Sequence, residues 1–175
     1  MRTLLVVCLA TAPIVNLGIP SAEARELSVT VEIPQLAVAE YHRPYVAIWV
    51  ERPDQQAVAN LAVWYDVRLR NAEGEKWLKD VRQWWRRTGR DLRMPVDGVT
   101  GATRAPGHHT LRFEAERTEL KNLPPGQYNL VVEAAREVGG RELLRVPFQW
   151  PPAAPETGKA QGSSELSALA IELKP

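Results

Sequence analysis

Short β-strand patterns recur along almost the whole chain, and they constrain the fold more than any other feature. Six segments alternate apolar and polar residues, and one segment, 45–50, is apolar throughout. The seven segments are residues 27–33, 45–50, 61–69, 109–115, 128–134, 144–150 and 166–173. A period of two is typical of half-buried strands, and a short apolar run is typical of a central strand. With no sign of repeated strand–helix–strand units, the sequence predicts an all-β sandwich of about seven strands in two sheets.

One strand begins with a feature that resembles a known sandwich motif. Tyr128 follows Pro125-Gly126-Gln127 at the start of its strand. This placement resembles the tyrosine corner of immunoglobulin-like and fibronectin-like sandwiches. The resemblance implies a fold of that kind.

A single segment, residues 75–87, has helical spacing. Trp77, Val81 and Trp84 recur on one face, and lysine and arginine residues occupy the opposite face. We expect this helix to pack on a sheet through its apolar face. An indole at the edge of the cluster could also stack on a flat heterocycle, so the sequence leaves the role of Trp77, Trp84 and Trp85 open.

The N-terminal residues 1–24 have the organisation of a secretory signal peptide. Arg2 precedes an apolar stretch at residues 4–12, and Ala22-Glu23-Ala24 forms a small-x-small cleavage site. The sequence therefore predicts export to the periplasm and no membrane insertion after cleavage. Residues 25–150 would form the sandwich domain, residues 151–164, rich in Pro, Gly and Ser, a linker, and residues 165–175 a C-terminal strand.

Composition argues against several classes of function. The only cysteine, Cys8, lies in the predicted signal peptide, so the mature chain would have neither a disulfide nor a thiolate metal site. His108 and His109 are adjacent and would point to opposite faces of a strand, which disfavours a shared metal. The net charge of +1 gives no reason to expect a nucleic-acid partner. No Gly-x-Ser-x-Gly or phosphate-loop pattern is present, and no residue is assigned a catalytic role.

Residues 90–107 fit neither a strand nor a helix pattern. The stretch is rich in glycine, alanine and proline, and it presents two hydroxyl groups, those of Thr100 and Thr103. Long loops without secondary structure inside compact domains are usually functional or disordered. We interpret this one as a functional loop.

Residues 97–103 within the loop resemble the flavin-attachment motif, roughly Asp-x-x-Ser/Thr-Gly-Ala-Thr, of FMN-binding domains in sodium-pumping NADH:quinone reductases and related electron-transport complexes. In those domains the final threonine is esterified to the phosphate of FMN by a magnesium-dependent FMN transferase outside the cytoplasm. The resemblance implies that Thr103 is the attachment residue and that the transferase is a partner. The surrounding cofactor-binding residues would be Asp97, Gly98, Thr100, Gly101, Ala102 and Arg104. The guanidinium of Arg104, of Arg93 or of the helix arginines would be available to neutralise the phosphoester.

A longer resemblance covers most of the mature chain. The segments 43–51, 84–86, 97–103, 126–130 and 133–137 occur in this order in a family of predicted periplasmic proteins filed as a domain of unknown function, number 2271. The resemblance implies a sandwich fold and an association with extracytosolic flavin-transfer systems and membrane-bound reductases.

Two hypotheses for function remain open from the sequence. In the first, the protein is an exported flavoprotein with FMN covalently bound to Thr103, acting in extracytoplasmic electron transfer as a carrier or redox accessory protein rather than a stand-alone enzyme. In the second, it is a non-catalytic, immunoglobulin-like periplasmic binding or scaffold module without a cofactor. The second explains the loop by turn formation, because Asp-Gly and Thr-Gly pairs favour turns.

Overall fold

The computed structural model describes residues 25–175, and the predicted signal peptide lies outside the described residues. Nine β-strands form two sheets. The strands are β1 Glu26–Ile33, β2 Tyr45–Glu51, β3 Ala57–Tyr65, β4 Thr100–Ala102, β5 Gly107–Glu114, β6 Gly126–Ala135, β7 Arg141–Trp150, β8 Glu156–Gln161 and β9 Ala168–Lys174. The helical segments are the 3₁₀ segments Arg70–Asp80, Gly89–Asp91, Ala115–Arg117 and Glu119–Asn122 and the α-helix α1, Arg82–Arg87.

The two sheets pack face to face around the main core. One sheet has the order β5-β1-β9-β8 and the other the order β4-β3-β2-β6-β7, with β4 alone parallel to its neighbour. Alternate residues of β1 such as Val29 and Val31 meet inward-facing residues of the other sheet such as Ile48 and Val132. The predicted all-β sandwich is confirmed.

The five-stranded sheet is buried on both faces. Its outer face carries Ala47, Trp49 and Val131, which pack against Leu78 and Trp84 of the helical segments. This second core explains why residues 45–50 are apolar throughout instead of alternating, because a strand covered on both sides has no solvent face. The predicted packing of the helical stretch on a sheet is confirmed.

The predicted helix at residues 75–87 is wrong in its bounds and type. Only Arg82–Arg87 is α-helical, and the preceding Arg70–Asp80 segment has 3₁₀ geometry. Asn71 and Ala72 interrupt that segment with φ values of 54° each, in the left-handed region. The chain therefore wraps over the sheet in short turns. Trp84 is fully buried, whereas Trp77 is 46% exposed.

A buried carboxylate joins α1 to the sheet. Glu133 lies on the outer face of β6 with no exposed surface. Its oxygens accept hydrogen bonds from the backbone amides of Gln83, at 2.9 Å, and Trp84, at 2.8 Å. The guanidinium of Arg141 donates to the same carboxylate at 2.7 Å. Glu133 thus fixes the start of α1, and Arg141 balances its negative charge.

The third predicted strand, 61–69, ends earlier than its alternation predicts. β3 stops at Tyr65, and Val67 and Leu69 are 44% and 43% exposed. A β-bulge also shifts the register, because Ile48 pairs with Ala62 but Trp49 pairs with Asn60. Leu61 consequently lies in the main core, on the opposite side of the sheet from Val63 and Tyr65. The prediction that these three residues share one face is wrong.

Residues 151–164 are not a linker, which corrects the sequence prediction. They contain β8, an edge strand paired with β9. The inward positions of β8 include Gly158 and Ala160, so the strand has no alternating apolar signal. A Cβ at Gly158 would lie 2.4 Å from a methyl carbon of Val146, so a small residue is required there.

The chain after β8 is held by Glu142, which accepts hydrogen bonds from the amides of Ser163, Ser164 and Leu166.

The tyrosine at the start of β6, whose position resembles a tyrosine corner, makes a hydrogen bond to the turn that precedes it. The Tyr128 hydroxyl donates to the carbonyl oxygen of Pro124 at 2.8 Å. The ring packs beside Phe148, with centroids 6.0 Å apart. The hydroxyl ties the turn before β6 to the strand.

Replacement of Glu133 by alanine is expected to lower the free energy of unfolding by about 2–3 kcal/mol, because it leaves two amides and an arginine without their acceptor. Urea denaturation followed by tryptophan fluorescence measures the loss. Glu73→Ala is the matched control, since Glu73 pairs only with Lys76 on the surface, and its midpoint should not move. Equal midpoints for the two variants would contradict the role assigned to Glu133.

Glu142 is expected to make stability dependent on pH. Burial raises the pKa of its carboxyl, but the hydrogen bonds from Leu166, Ser163 and Ser164 outweigh this effect and the pKa is lowered. Its stabilisation is therefore complete above the unfolded pKa, about 4.3, and is lost as the pH falls through the folded pKa.

Glu142→Gln should accordingly lower the free energy of unfolding by about 1 kcal/mol at pH 7, with a smaller difference from the wild type at pH 3. Urea titrations at both pH values test this. The control is Glu172→Gln on the exposed side of β9. A difference for Glu142→Gln that does not change with pH would refute the explanation.

Candidate functional site

The loop that the sequence singles out is folded by a tight turn at residues 96–100. The amides of Val99 and Thr100 both donate to the carbonyl oxygen of Val96, at 3.2 and 2.9 Å. The Thr100 Oγ1 accepts a hydrogen bond from the Val96 amide at 2.8 Å. Gly98 has a φ of 72°, a conformation that favours glycine. Gly98 and Thr100 thus have local structural roles.

A short strand follows the turn, which corrects the expectation of a loop without secondary structure. Thr100–Ala102 forms β4, parallel to Val63–Tyr65 of β3. The amide of Thr103 extends this pairing by donating to the carbonyl oxygen of Tyr65 at 3.2 Å. Gly101 lies beside Trp64, and a Cβ there would approach the indole to 3.1 Å. The absence of a side chain at residue 101 therefore allows the strand to lie against Trp64.

Two clefts border this strand and the residue that follows it. The larger has a volume of about 610 Å³ and is bordered by Asp97, Gly98, Thr100, Gly101 and Ala102. The smaller has a volume of about 280 Å³ and is bordered by Thr103. Both share Asp66 and Leu69 as a common border. The structure thus divides the seven-residue motif, with Thr103 facing a different cavity from the residues before it.

The two threonines of the motif differ in their environment. Thr100 uses its hydroxyl within the turn, as described above. The Thr103 hydroxyl makes no hydrogen bond to any residue among 25–175, and the residue is half-buried at the border of the smaller cleft. Of the two, Thr103 presents the oxygen that is available for reaction.

Arg104 is directed elsewhere. Its guanidinium carbon lies 5.3 Å from the centroid of the Trp64 ring, in a cation–π arrangement. His109 also contacts Trp64, and the centroids of the two rings are 5.8 Å apart. Arg104 does not border either cleft around the motif. This arrangement does not match the expectation that Arg104 neutralises a phosphoester at Thr103.

Three other arginines border the cleft of Thr103: Arg43, Arg68 and Arg136. They come from the segment before β2, the segment after β3 and the end of β6. The sequence motif gave no indication of them, because its seven residues include none of these elements. Aromatic rings border the same cleft, those of Tyr41, Tyr45 and Trp77.

The tyrosines of the cleft are protonated at neutral pH. Burial raises the pKa of Tyr45, more than the nearby backbone hydrogen bond with Asp66 lowers it. Burial also raises the pKa of Tyr41, and the positive charge of Arg136 opposes this only in part. Their hydroxyl groups can therefore donate hydrogen bonds to a ligand oxygen.

Among residues 25–175, no group of three or more His, Cys, Asp or Glu side chains is placed to hold a metal ion. In the same part of the chain, none of the helices has both the length and the apolar character needed to cross a bilayer.

Comparison with known proteins gives one result. A family model described as "Predicted periplasmic protein (DUF2271)" matches residues 26–168. The match extends from β1 to the first residue of β9 and includes the whole loop and both clefts. Neither the curated proteins nor the solved structures give a match. The chain therefore belongs to the family of predicted periplasmic proteins DUF2271.

Proposed function

We propose that this protein is an exported flavoprotein that carries FMN covalently on Thr103 and takes part in electron transfer outside the cytoplasm. The observation that carries the proposal is the Thr103 hydroxyl, which borders a cleft and has no hydrogen-bond partner among residues 25–175. Thr103 is the last residue of a motif that resembles a flavin-attachment site. The family description supports localisation in the periplasm. The periplasm is a compartment where such attachment takes place.

The attachment is a phosphoryl transfer carried out by a separate FMN transferase. A bond forms between the Thr103 Oγ1 and the phosphorus next to the riboflavin moiety of a flavin dinucleotide. The pyrophosphate P–O bond breaks, AMP leaves, and the hydroxyl proton passes to a base of the transferase. The chain gains one FMN less one water. For this step the protein needs to supply only an accessible hydroxyl.

The residues around Thr103 fit the group that it would carry. The phosphoester is anionic, and the guanidinium groups of Arg43 and Arg68 border the same cleft. Charge-assisted hydrogen bonds from arginine are suited to phosphate oxygens. Trp77 offers an indole of which 46% is exposed, against which a flat ring can stack. When bound, the flavin supplies the redox chemistry, and this chain positions it and sets its surroundings.

Covalent attachment suits an exported carrier. A tether holds the cofactor at a high local concentration, so the cofactor is retained where free flavin would diffuse away. The proposed partners are the FMN transferase and a membrane-bound reductase that exchanges electrons with the bound flavin.

One set of observations favours the alternative of a binding or scaffold module without a cofactor. Gly98, Thr100 and Gly101 each have a structural reason to be present, as the turn and the contact with Trp64 show. These residues would therefore occur in the loop whatever its function. Only Thr103 separates the two hypotheses, because its hydroxyl has no structural partner among residues 25–175.

Coexpression with an FMN transferase is expected to increase the intact mass of the wild-type protein by one FMN less one water. Thr103→Ala should abolish the increase and the in-gel flavin fluorescence, because it removes the acceptor oxygen. Thr157→Ala, which removes an exposed hydroxyl of β8, is the matched control and should be labelled like the wild type.

Labelling that persists in Thr103→Ala would refute the site. Unlabelled wild-type protein, under conditions in which the transferase modifies an FMN-binding domain, would refute the function and leave the scaffold module.

A further inference from the structure

Two buried polar atoms without a hydrogen-bond partner belong to residues that border the cleft of Thr103. They are the Tyr41 hydroxyl and the Nη1 of Arg136, and they are the only such side-chain atoms in residues 25–175. The Arg136 side chain is only 6% exposed, and its Nε and Nη2 donate to Glu165 at 2.8 and 3.2 Å. Its guanidinium carbon lies 5.9 Å from the centroid of the Tyr41 ring. Both residues border the 280 Å³ cleft.

Such atoms are rare in folded proteins, because each has lost its hydrogen bonds to water and gained no partner. Arginine has only donors, whereas a tyrosine hydroxyl can donate as well as accept. One kind of partner, an acceptor, would therefore satisfy both atoms. An oxygen atom entering from the cleft would supply it.

The charges around the cleft select the kind of acceptor. Its border carries three basic side chains, Arg43, Arg68 and Arg136, and three acidic ones, Asp66, Asp80 and Glu137. The charge of Arg136 is moreover balanced by Glu165, which does not border the cleft. The cleft thus has no excess of positive charge to retain a free anion, whereas a phosphoester at Thr103 would be retained by its covalent bond. For the Tyr41 hydroxyl and the Arg136 Nη1, a neutral carbonyl oxygen is the better partner.

The apolar part of the cleft selects the shape of the ligand. Tyr41, Tyr45 and Trp77 bring aromatic rings to its border, and Leu69 adds an exposed aliphatic side chain. Flat ligands gain from stacking on such rings. The cleft therefore combines donors for carbonyl oxygens with surfaces for a planar ring.

We propose that this cleft binds a flat heteroaromatic ring through its carbonyl oxygens, with the Tyr41 hydroxyl and the Arg136 Nη1 as donors and Trp77 against the ring. The inference rests on the proposed function, in which this ring is that of the FMN on Thr103. Tyr41 and Arg136 are positioning residues for the ring, and they stand apart from the attachment chemistry.

Tyr41→Phe is the decisive variant, because it removes only an oxygen that has no partner in the protein. It should raise the urea midpoint of the unmodified protein, because it removes a buried hydroxyl that has no partner. Tyr128→Phe is the matched control. It loses the hydrogen bond to Pro124 and should lower the midpoint without affecting the cleft. Arg136→Lys, which keeps a positive charge beside Glu165, is a second test of the donor pair.

Two binding measurements follow. The flavin fluorescence of the flavinylated protein is expected to be quenched in the wild type by contact with Trp77, and to increase in Tyr41→Phe, Arg136→Lys and Trp77→Leu but not in Tyr128→Phe. The unmodified wild type is titrated with riboflavin, which has the ring and no phosphate, and fluorescence anisotropy reports binding. In both arms Tyr41→Phe should weaken ring binding by about fivefold, as expected for one hydrogen bond.

The outcomes distinguish this inference from the proposed function. Attachment of FMN together with fluorescence that is the same in the wild type and Tyr41→Phe would overturn the ring site and leave the flavoprotein assignment. Binding of riboflavin that depends on Tyr41, without any attachment to Thr103, would leave the ring site and overturn the assignment. With neither attachment nor riboflavin binding, both fail. A loss of stability in Tyr41→Phe as large as in Tyr128→Phe would show that water already satisfies the hydroxyl, and would also overturn the ring site.

Discussion

The burial of both faces of the five-stranded sheet is the constraint on which the rest of the structure depends. The inner face is covered by the second sheet, but the outer face, with Trp49 and Val131, needs a separate cover. The excursion between β3 and β4, residues 66–99, supplies this cover. Glu133 makes the cover specific, because a charge with no exposed surface is tolerated only where the amides of α1 and Arg141 meet it. The helical segments are thereby held in one place on the sheet.

The same excursion creates the candidate site. Its first part brings Trp77 to the cleft that Tyr45 and Ala135 border, and its last part returns as β4 beside β3. Thr103 follows immediately, where its amide pairs with the end of β3. The other wall of the cleft comes from the start of β2 and the end of β6, which are neighbours because Tyr45 pairs with Ala135. The site therefore lies where the covering layer meets the sheet, a common position for clefts.

The sequence was sufficient for the sandwich but not for the details that shape the site. Alternation and the apolar run 45–50 predicted most strands, and the Pro-Gly-x-Tyr pattern at Tyr128 indicated a sandwich. The sequence did not predict β8, because its inward-facing positions include Gly158 and show no alternating apolar signal. The sequence also did not predict the bulge at Leu61, which changed which residues share a face. The motif predicted Thr103, but Tyr41 and Arg136 meet only through strand pairing. They are separated by almost a hundred positions, and no local pattern joins them.

The two halves of the motif have different roles, and this bears on how an attached group would behave. Gly98, Thr100 and Gly101 fix the backbone through a turn and a parallel strand, so Thr103 is presented from a structured element rather than a loose loop. A phosphoester formed there would begin at the border of the 280 Å³ cleft. A short tether from a fixed point restricts the ring to nearby surfaces, which raises the effective concentration of the ring at those surfaces. If FMN is attached as proposed, a single hydrogen bond from Tyr41 or Arg136 would then shift the balance between a docked ring and one exposed to solvent.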